Sequence, residues 1–277
     1  MKTVALPCGE RVPAFGQGTW HMGDDRAKRS EEIAALRLGL DCGLTLVDTA
    51  EMYGDGRSEQ LVAEAIAGRR DEVFLVSKVL PNHATRRGTR AACEQSLARL
   101  KTDRIDLYLL HWRGNVPLAE TLEALQALQS AGKIRHYGVS NLDLADMKAL
   151  WKLSGGKAVA TNQLLYNLMR RGIEWDLLPW LRERRVPLMA YSPLEQARLT
   201  DHPKLAAFSK RHGMTLAQAA LAWLLAKDDV IVIPKCGNRA RLTENLGALE
   251  HPLSAAQLAE LDRLFPPPDR PSPLEMI

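Results

Sequence analysis

The chain has 277 residues, 46% of them apolar and 25% charged, with a net charge of +4. That is ample material for a large core, and α/β barrels use about 250 residues for one such unit. The basic excess is weak and dispersed, which argues against a nucleic-acid footprint or an acidic tail, and no apolar run approaches the roughly 20 residues of a membrane span.

The four cysteines, Cys8, Cys42, Cys93 and Cys236, lie far apart and form no C-x-x-C pair. A zinc site or disulfide framework is not expected, and a reducing compartment fits. The first residues lack the apolar centre of a signal peptide. The expectation is a soluble, cytoplasmic protein with no nucleic-acid and no membrane partner.

Residues 4–6 and 11–14 flank Pro7-Cys8-Gly9-Glu10 and predict a small β-hairpin. Phe15-Gly-Gln-Gly-Thr-Trp20 predicts a short strand with a tight exit. From there the period alternates. A helix over 30–41, with Ile33, Ala34, Leu36 and Leu40 on one side, is followed by a strand over 44–47. Ser58-Glu59 opens a helix over 58–67, then come a strand over 73–78, a helix ending at 100 and a strand over 105–111. The helix over 118–130 has Gly132 placed to end it. Next are a strand over 134–140, a helix over 144–151, a strand over 159–165, a helix over 173–185 and a strand over 187–191. Helices over 203–212 and 215–226, a strand over 230–234, and helices over 239–249 and 254–265 complete the series. The Pro-rich stretch 266–277 is expected to be irregular.

Counted from Phe15, eight strands are each followed by at least one helix. The strands are short and apolar without clean alternation, as when both faces are buried. The fold class expected is α/β, a (β/α)8 TIM barrel with an N-terminal β-hairpin and extra C-terminal helices, with residues 1–277 forming one domain. A doubly wound sheet would carry G-x-G-x-x-G after its first strand, and Gly16-Gln-Gly18-Thr-Trp-His21 lacks the third glycine.

Barrel active sites form at the carboxyl ends of the strands. Those ends carry Asp48 with Tyr53 just beyond, Lys78, His111, Ser140-Asn141, Asn162-Gln163, Tyr191-Ser192 and Lys235. Taken singly, each reads as a rim residue or as packing. Taken together, adjacent strands two, three and four bring Asp48, Tyr53, Lys78 and His111 to one spot. A free phenol, with a pKa of about 10, is a poor acid at neutral pH. A neighbouring ammonium lowers that value, and a carboxylate keeps the ammonium charged. The expectation is that Asp48 holds Lys78, Lys78 acidifies Tyr53, and Tyr53 gives its proton to an oxygen gaining negative charge, with His111 orienting that oxygen. The chain has no G-x-S-x-G turn, no H-E-x-x-H helix and no carboxylate cluster for Mg²⁺. An acid without a nucleophile points to hydride from a cofactor. Lys235 and Arg241 flank the start of the helix after the last strand, where the dipole also favours anions.

Asp48-Thr-Ala-x-x-Tyr53-Gly-x-Gly-x-Ser-Glu59, Ser77-Lys78, Leu109-Leu-His111-Trp112, Gly138-Val-Ser-Asn141, Asn162-Gln163, Ala190-Tyr-Ser-Pro-Leu194 and Ile233-Pro-Lys235 resemble the aldo-keto reductases, in that family's order, from Phe15 to about Phe265. The versions at Gly16–Gly23 and Thr49–Tyr53 look most like the bacterial branch that contains methylglyoxal reductases. The resemblance implies NADPH (NADP+) as cofactor without a Rossmann domain, Asp48, Tyr53, Lys78 and His111 as catalytic residues, and Tyr53 as the general acid. It implies Ser140, Asn141 and Gln163 at the nicotinamide carboxamide and Tyr191 stacked on the ring. Gly18, Thr19, Ser192, Leu194 and Ile233 would line the cofactor's path. Lys235, Cys236 and Arg241 would lie at the 2′-phosphate, with Glu244 and Asn245 near the adenine. Trp20 and Trp112, and less so Met22, would shape the substrate mouth with His111. Cys236 departs from the family's usual Ser or Thr, which bears on the preference for NADPH over NADH. The short connection after strand four and the short tail point to an open pocket for small carbonyl substrates such as methylglyoxal, and a monomer is the family's habit. Two other readings stand beside this one: an NADPH-binding regulatory barrel acting on a protein partner, and a Schiff-base lyase using Lys78.

Overall fold

The computed structural model describes residues 1–277. The chain opens with an antiparallel pair, β1 (Thr3–Ala5) and β2 (Arg11–Pro13). Eight parallel strands follow: β3 (Gln17–Gly18), β4 (Leu46–Asp48), β5 (Phe74–Val79), β6 (Ile105–Leu110), β7 (Ile134–Ser140), β8 (Asn162–Leu165), β9 (Leu188–Tyr191) and β10 (Val230–Val232). Each pairs with its neighbours in chain order. The first and last meet through parallel bridges Phe15–Val232 and Gly18–Lys235, and Gly18 N–H donates to the Pro234 carbonyl, so the sheet closes into the expected (β/α)8 barrel. A Cβ on Gly18 would lie 2.8 Å from the Ile233 carbonyl oxygen, so the seam requires glycine.

The helices are α1 (Arg29–Asp41), α2 (Arg57–Ala65), α3 (Arg86–Leu100), α4 (Leu118–Ser130), α5 (Leu144–Trp151), α6 (Leu177–Glu183), α7 (Pro203–His212), α8 (Leu216–Leu225), α9 (Arg239–Leu246) and α10 (Ala255–Leu264). Side-chain caps fix several starts: Thr85 accepts from Gly88 N–H, Asp143 from Asp146 N–H and Asn238 from Arg241 N–H, and Thr215–Gln218 and Ser254–Gln257 form capping boxes. The helix expected over 173–185 is instead a 3₁₀ turn (Gly172–Glu174) and the shorter α6. Pro179 is the reason: it sits in the first turn of α6, where its missing N–H costs nothing, whereas a start at 173 would put it in the interior. Similarly, the expected helix over 239–249 ends at Leu246 and continues as a 3₁₀ turn from Gly247.

Most of the apolar core lies between strands and helices. A second cluster fills the barrel itself: Leu46, Val76, Leu107, Leu109, Met189, Ile231 and Ile233, closed at one end by Val4, Leu6 and Val12 of the hairpin. Strand side chains alternate faces, so the next inward position after Leu46 is Asp48, after Val76 is Lys78, after Leu109 is His111 and after Ile233 is Lys235. One register therefore delivers grease to one end of the barrel and ionisable groups to the other.

Candidate active site

Lys78 is fully buried. Its ammonium has three hydrogens and meets three acceptors: Asp48 Oδ2 at 2.8 Å, the Thr49 carbonyl at 2.9 Å and Tyr53 Oη at 3.1 Å. The second oxygen of Asp48 accepts from Gln163 Nε2 at 2.8 Å. An ammonium only donates, so Tyr53 Oη receives from Lys78 and keeps its own hydrogen to give elsewhere. Burial works against the Lys78 charge, but the charges and hydrogen bonds of Asp48 and Tyr53 outweigh it, and its pKa is raised. Lys78 acts on the Tyr53 pKa in the expected direction, downward, but it is not the largest influence. Burial pushes the phenol up, Lys78 pulls it down and Asp48 pushes it up again, leaving the Tyr53 pKa raised. Tyr53 therefore holds its proton at neutral pH. His111 meets the Tyr53 ring edge-on, with centroids 5.9 Å apart. Burial first, then the Lys78 charge, push its pKa down to about 2, so it is a neutral imidazole. Its Nδ1 is buried without a partner.

The backbone that presents Tyr53 is unusual. Tyr53–Gly56 forms a 3₁₀ turn in which Gly54 and the non-glycine Asp55 both have left-handed φ, +57° and +50°. Sequence reading saw Ser58-Glu59 only as the head of a helix. In the structure both side chains are fully buried ties. Ser58 Oγ donates to Thr19, while Thr49 Oγ1 reaches Ser58. Glu59 accepts from Ser77 Oγ at 2.7 Å and from Arg99 Nε at 2.5 Å. The first turn of α2 thus pins the ends of β3, β4 and β5, the strands that bracket Asp48 and Lys78. These partners lie 9 to 40 residues away in sequence, which is why local pattern did not show them.

The chain matches the profile of the Aldo/keto reductase family over residues 14–265. It belongs to the aldo/keto reductase family. It is 49% identical to the methylglyoxal reductase YeaE of Escherichia coli (strain K12) over 271 residues, 96% of this chain and 95% of that protein. It is 31% identical to a glyoxal reductase of Bacillus subtilis (strain 168), covering 95% of this chain and 92% of that protein. A crystal structure of an aldo/keto reductase from Klebsiella pneumoniae, in complex with NADP and acetate, superposes with a TM-score of 0.96 at 51% identity, covering 100% of this chain and 99% of that one.

Around the rest of this aldo-keto reductase's rim, the residues singled out from sequence fall into three groups. In the first, Ser140 Oγ donates to the Gln163 carbonyl, Asn141 Nδ2 donates to the His111 carbonyl, and the Tyr191 hydroxyl donates to Asn141 Oδ1 at 3.0 Å. Ser140, Asn141, Gln163 and Tyr191 are thus continuous with the group formed by Asp48, Tyr53, Lys78 and His111. Thr19, fully buried, donates to the Asp48 carbonyl, and Gly18 and Ile233 form the barrel seam. The second group is the loop after β9. Four non-glycine residues between 192 and 197 have positive φ, Ser192, Glu195, Gln196 and Ala197. Such a cluster is held only when its surroundings over-determine it. Here the buried Asn167 donates to the Ser192 carbonyl and to Glu195 Oε2, and Arg170 pairs with Glu195 Oε1. Leu194 is half-buried at the start of this turn. Sequence reading named Ser192 and Leu194 but missed Asn167, Arg170 and Glu195, which carry no local motif.

The third group surrounds the start of α9. Lys235 and Arg241 are exposed and have no carboxylate partner, while the intervening Arg239 pairs with Glu31 at 3.0 Å. Two free cations beside a helix N-terminus suit a phosphate. Glu244 is exposed beside them. Asn245, on the same helix, is buried, and its amide donates to Cys236 Sγ at 2.8 Å. Burial pushes the Cys236 thiol up to about 11, so it stays protonated.

At the mouth, Trp20 is 37% exposed and Trp112 leans on His111 with centroids 4.8 Å apart. Met22 is fully buried and lines no mouth; it belongs to the core between α1 and the strands. The C-terminal stretch is tied to the brace under the loop after β9 through Glu275, which pairs with Arg170. Beneath this stretch lies a cavity of about 340 Å³ lined by Asp143, Lys148, Ile173 and Leu274, with none of Asp48, Tyr53, Lys78 or His111 in its wall.

Proposed function

We propose that this chain reduces small aldehydes and ketones to alcohols, with Tyr53 as general acid and NADPH as the source of hydride. The observation that carries this is the saturation of Lys78: with all three ammonium hydrogens spoken for, the Tyr53 hydroxyl is an acceptor toward Lys78 and a donor toward the mouth. NADPH, when bound, supplies the hydride that adds to the carbonyl carbon. Tyr53 gives its proton to the carbonyl oxygen as that oxygen gains charge, and the Lys78 cation beside it then stabilises the phenolate left behind. Asp48 keeps Lys78 charged, and Gln163 keeps Asp48 oriented. A neutral His111 polarises the oxygen without competing for its proton.

The cofactor's residues fit. Ser140, Asn141 and the side-chain carbonyl of Gln163 would hold the nicotinamide carboxamide, Tyr191 would lie on the ring, Ser192 and Leu194 would follow the chain of phosphates, and Lys235 and Arg241 would hold the 2′-phosphate. Cys236, with its hydrogen bond from Asn245, supports that loop from behind. The substrate class is small reactive carbonyls such as methylglyoxal, which suits the aromatic rim of Trp20 and Trp112 and agrees with the methylglyoxal and glyoxal reductases among the relatives. Residues 1–277 act as one unit, a cytoplasmic monomer whose partner is the small-molecule carbonyl; no helix is long and apolar enough to cross a membrane. The test is loss of NADPH absorbance when methylglyoxal or another short aldehyde is added, run beside NADH. Absence of turnover across a carbonyl panel, with NADPH bound, would overturn the reading.

A further inference from the structure

At the opposite end of the barrel from Tyr53, three chemistry-bearing side chains meet that carbonyl reduction does not use. Cys8 sits in the turn of the hairpin, exposed, next to Gly9, where φ is +91° and an added Cβ would touch nothing within 4 Å. Its Sγ lies 3.9 Å from His136 Nδ1. The other ring nitrogen, Nε2, is 2.7 Å from Glu10 Oε2. Glu10 is itself held by Arg135, whose Nη2 reaches both carboxylate oxygens at 2.8 and 2.9 Å. The His136 ring lies nearly parallel to Phe74, with planes 20° apart and centroids 6.3 Å apart. His136 lies on β7 four residues before Ser140, so this cluster and the active site occupy opposite ends of one strand.

The order of contacts decides what the cluster can do. A carboxylate only accepts, so Nε2 carries the ring proton toward Glu10, and in the neutral imidazole Nδ1 presents its lone pair to the thiol. The arrangement is thiol, base and orienting carboxylate, the constellation that activates a sulfur nucleophile. It does not suit a metal ion, because Cys8 and Glu10 address different nitrogens of the ring and cannot share one ion with it. The remaining cysteines supply the contrast. Burial pushes the Cys93 thiol up to about 12 and Cys236 up to about 11. Cys42 is exposed at the end of α1 with no partner for its sulfur.

We propose that Cys8, with His136 as base and Glu10 as orienting group, is a thiol-modification site for low-molecular-weight disulfides. His136 Nδ1 takes the thiol proton. The Cys8 thiolate attacks one sulfur of the disulfide, a new S–S bond forms as the old one breaks, and the other half leaves as a thiolate, so the chain is oxidised by the disulfide and no further oxidant is needed.

The test treats the whole protein with glutathione disulfide near neutral pH and follows mixed-disulfide formation at each cysteine by peptide mass mapping. Cys8 is expected to react at least about tenfold faster than Cys42, the exposed thiol without a base. His136→Asn and Glu10→Gln are each expected to bring the Cys8 rate down toward that of Cys42, while Cys42 labelling and carbonyl reduction stay unchanged. Equal rates at Cys8 and Cys42 in the native protein would overturn the proposal. So would variants that retain carbonyl reduction and react at Cys8 as fast as the native chain.

Discussion

The two ends of the barrel interior are built by the same strands in the same register, yet they are chemically opposite. At the hairpin end, Leu46, Val76, Leu107, Met189 and Ile231 pack against Val4 and Val12 and need no polar partner. Further along the same strands stand Asp48, two residues after Leu46, Lys78, two after Val76, and His111, four after Leu107. An ion pair taken out of water gains little net stability, and it survives only when every hydrogen-bonding position is satisfied. That condition is met for Lys78 and Asp48 and is missed at His111 Nδ1. Inside the barrel, the hairpin end carries stability, while the rim end carries the ionisable groups proposed for carbonyl reduction, at a cost to stability.

Lys78→Met tests both sides of that contrast at once and should have the largest effect. It leaves Asp48 buried without its counter-ion, so unfolding free energy should drop by about 3–5 kcal/mol, and kcat should fall about 10²–10⁴-fold as Tyr53 loses its neighbour. Denaturant titration and steady-state kinetics read the two effects. Next is Leu46→Ala, two residues from Asp48 on the same strand face. It should cost about 2–5 kcal/mol of stability while leaving kcat per folded molecule unchanged. A matching loss of kcat would break the proposed division of labour.

Arg241→Ala sharpens the comparison on the cofactor side. Losing a charged hydrogen-bond donor should raise the KM for NADPH about 10- to 100-fold while that for NADH stays put. Equal changes for both cofactors would remove Arg241 from the 2′-phosphate. The smallest effect expected is that of pH. Across the range of about pH 5–8, where an ordinary histidine titrates, kcat for reduction should be flat, because His111 is already neutral, with its pKa down near 2. Reduction needs the protonated phenol, so kcat should decline only as pH rises through the Tyr53 value, which lies above the ordinary 10.0. An acid-side inflection near neutrality that disappears in His111→Asn would contradict a neutral His111.

Much of this was legible in the sequence for a physical reason. Strands buried on both faces read as apolar runs, and the residue that breaks each run marks the end where the candidate site forms, as Asp48, Lys78 and His111 do. Alternation then brings adjacent strand ends together. The parts that were not legible depend on long-range partners. The net direction of the Tyr53 pKa required knowing that burial outweighs Lys78. The inward turn of Asn245 required seeing Cys236 beside it. The ties made by Ser58 and Glu59, and the Asn167–Glu195–Arg170 brace under the strained loop, join residues tens of positions apart. The break before α6 was legible through Pro179 but was outweighed in sequence reading by the apolar periodicity around it.

The central claim is that Tyr53, held by Lys78, gives the proton in carbonyl reduction. Tyr53→Phe removes one oxygen and leaves the pocket's shape intact. NADPH binding, followed by fluorescence titration, should persist, and single-turnover reduction of methylglyoxal should slow about 10²–10⁴-fold. Turnover by the Tyr53→Phe protein at the native rate would contradict the account.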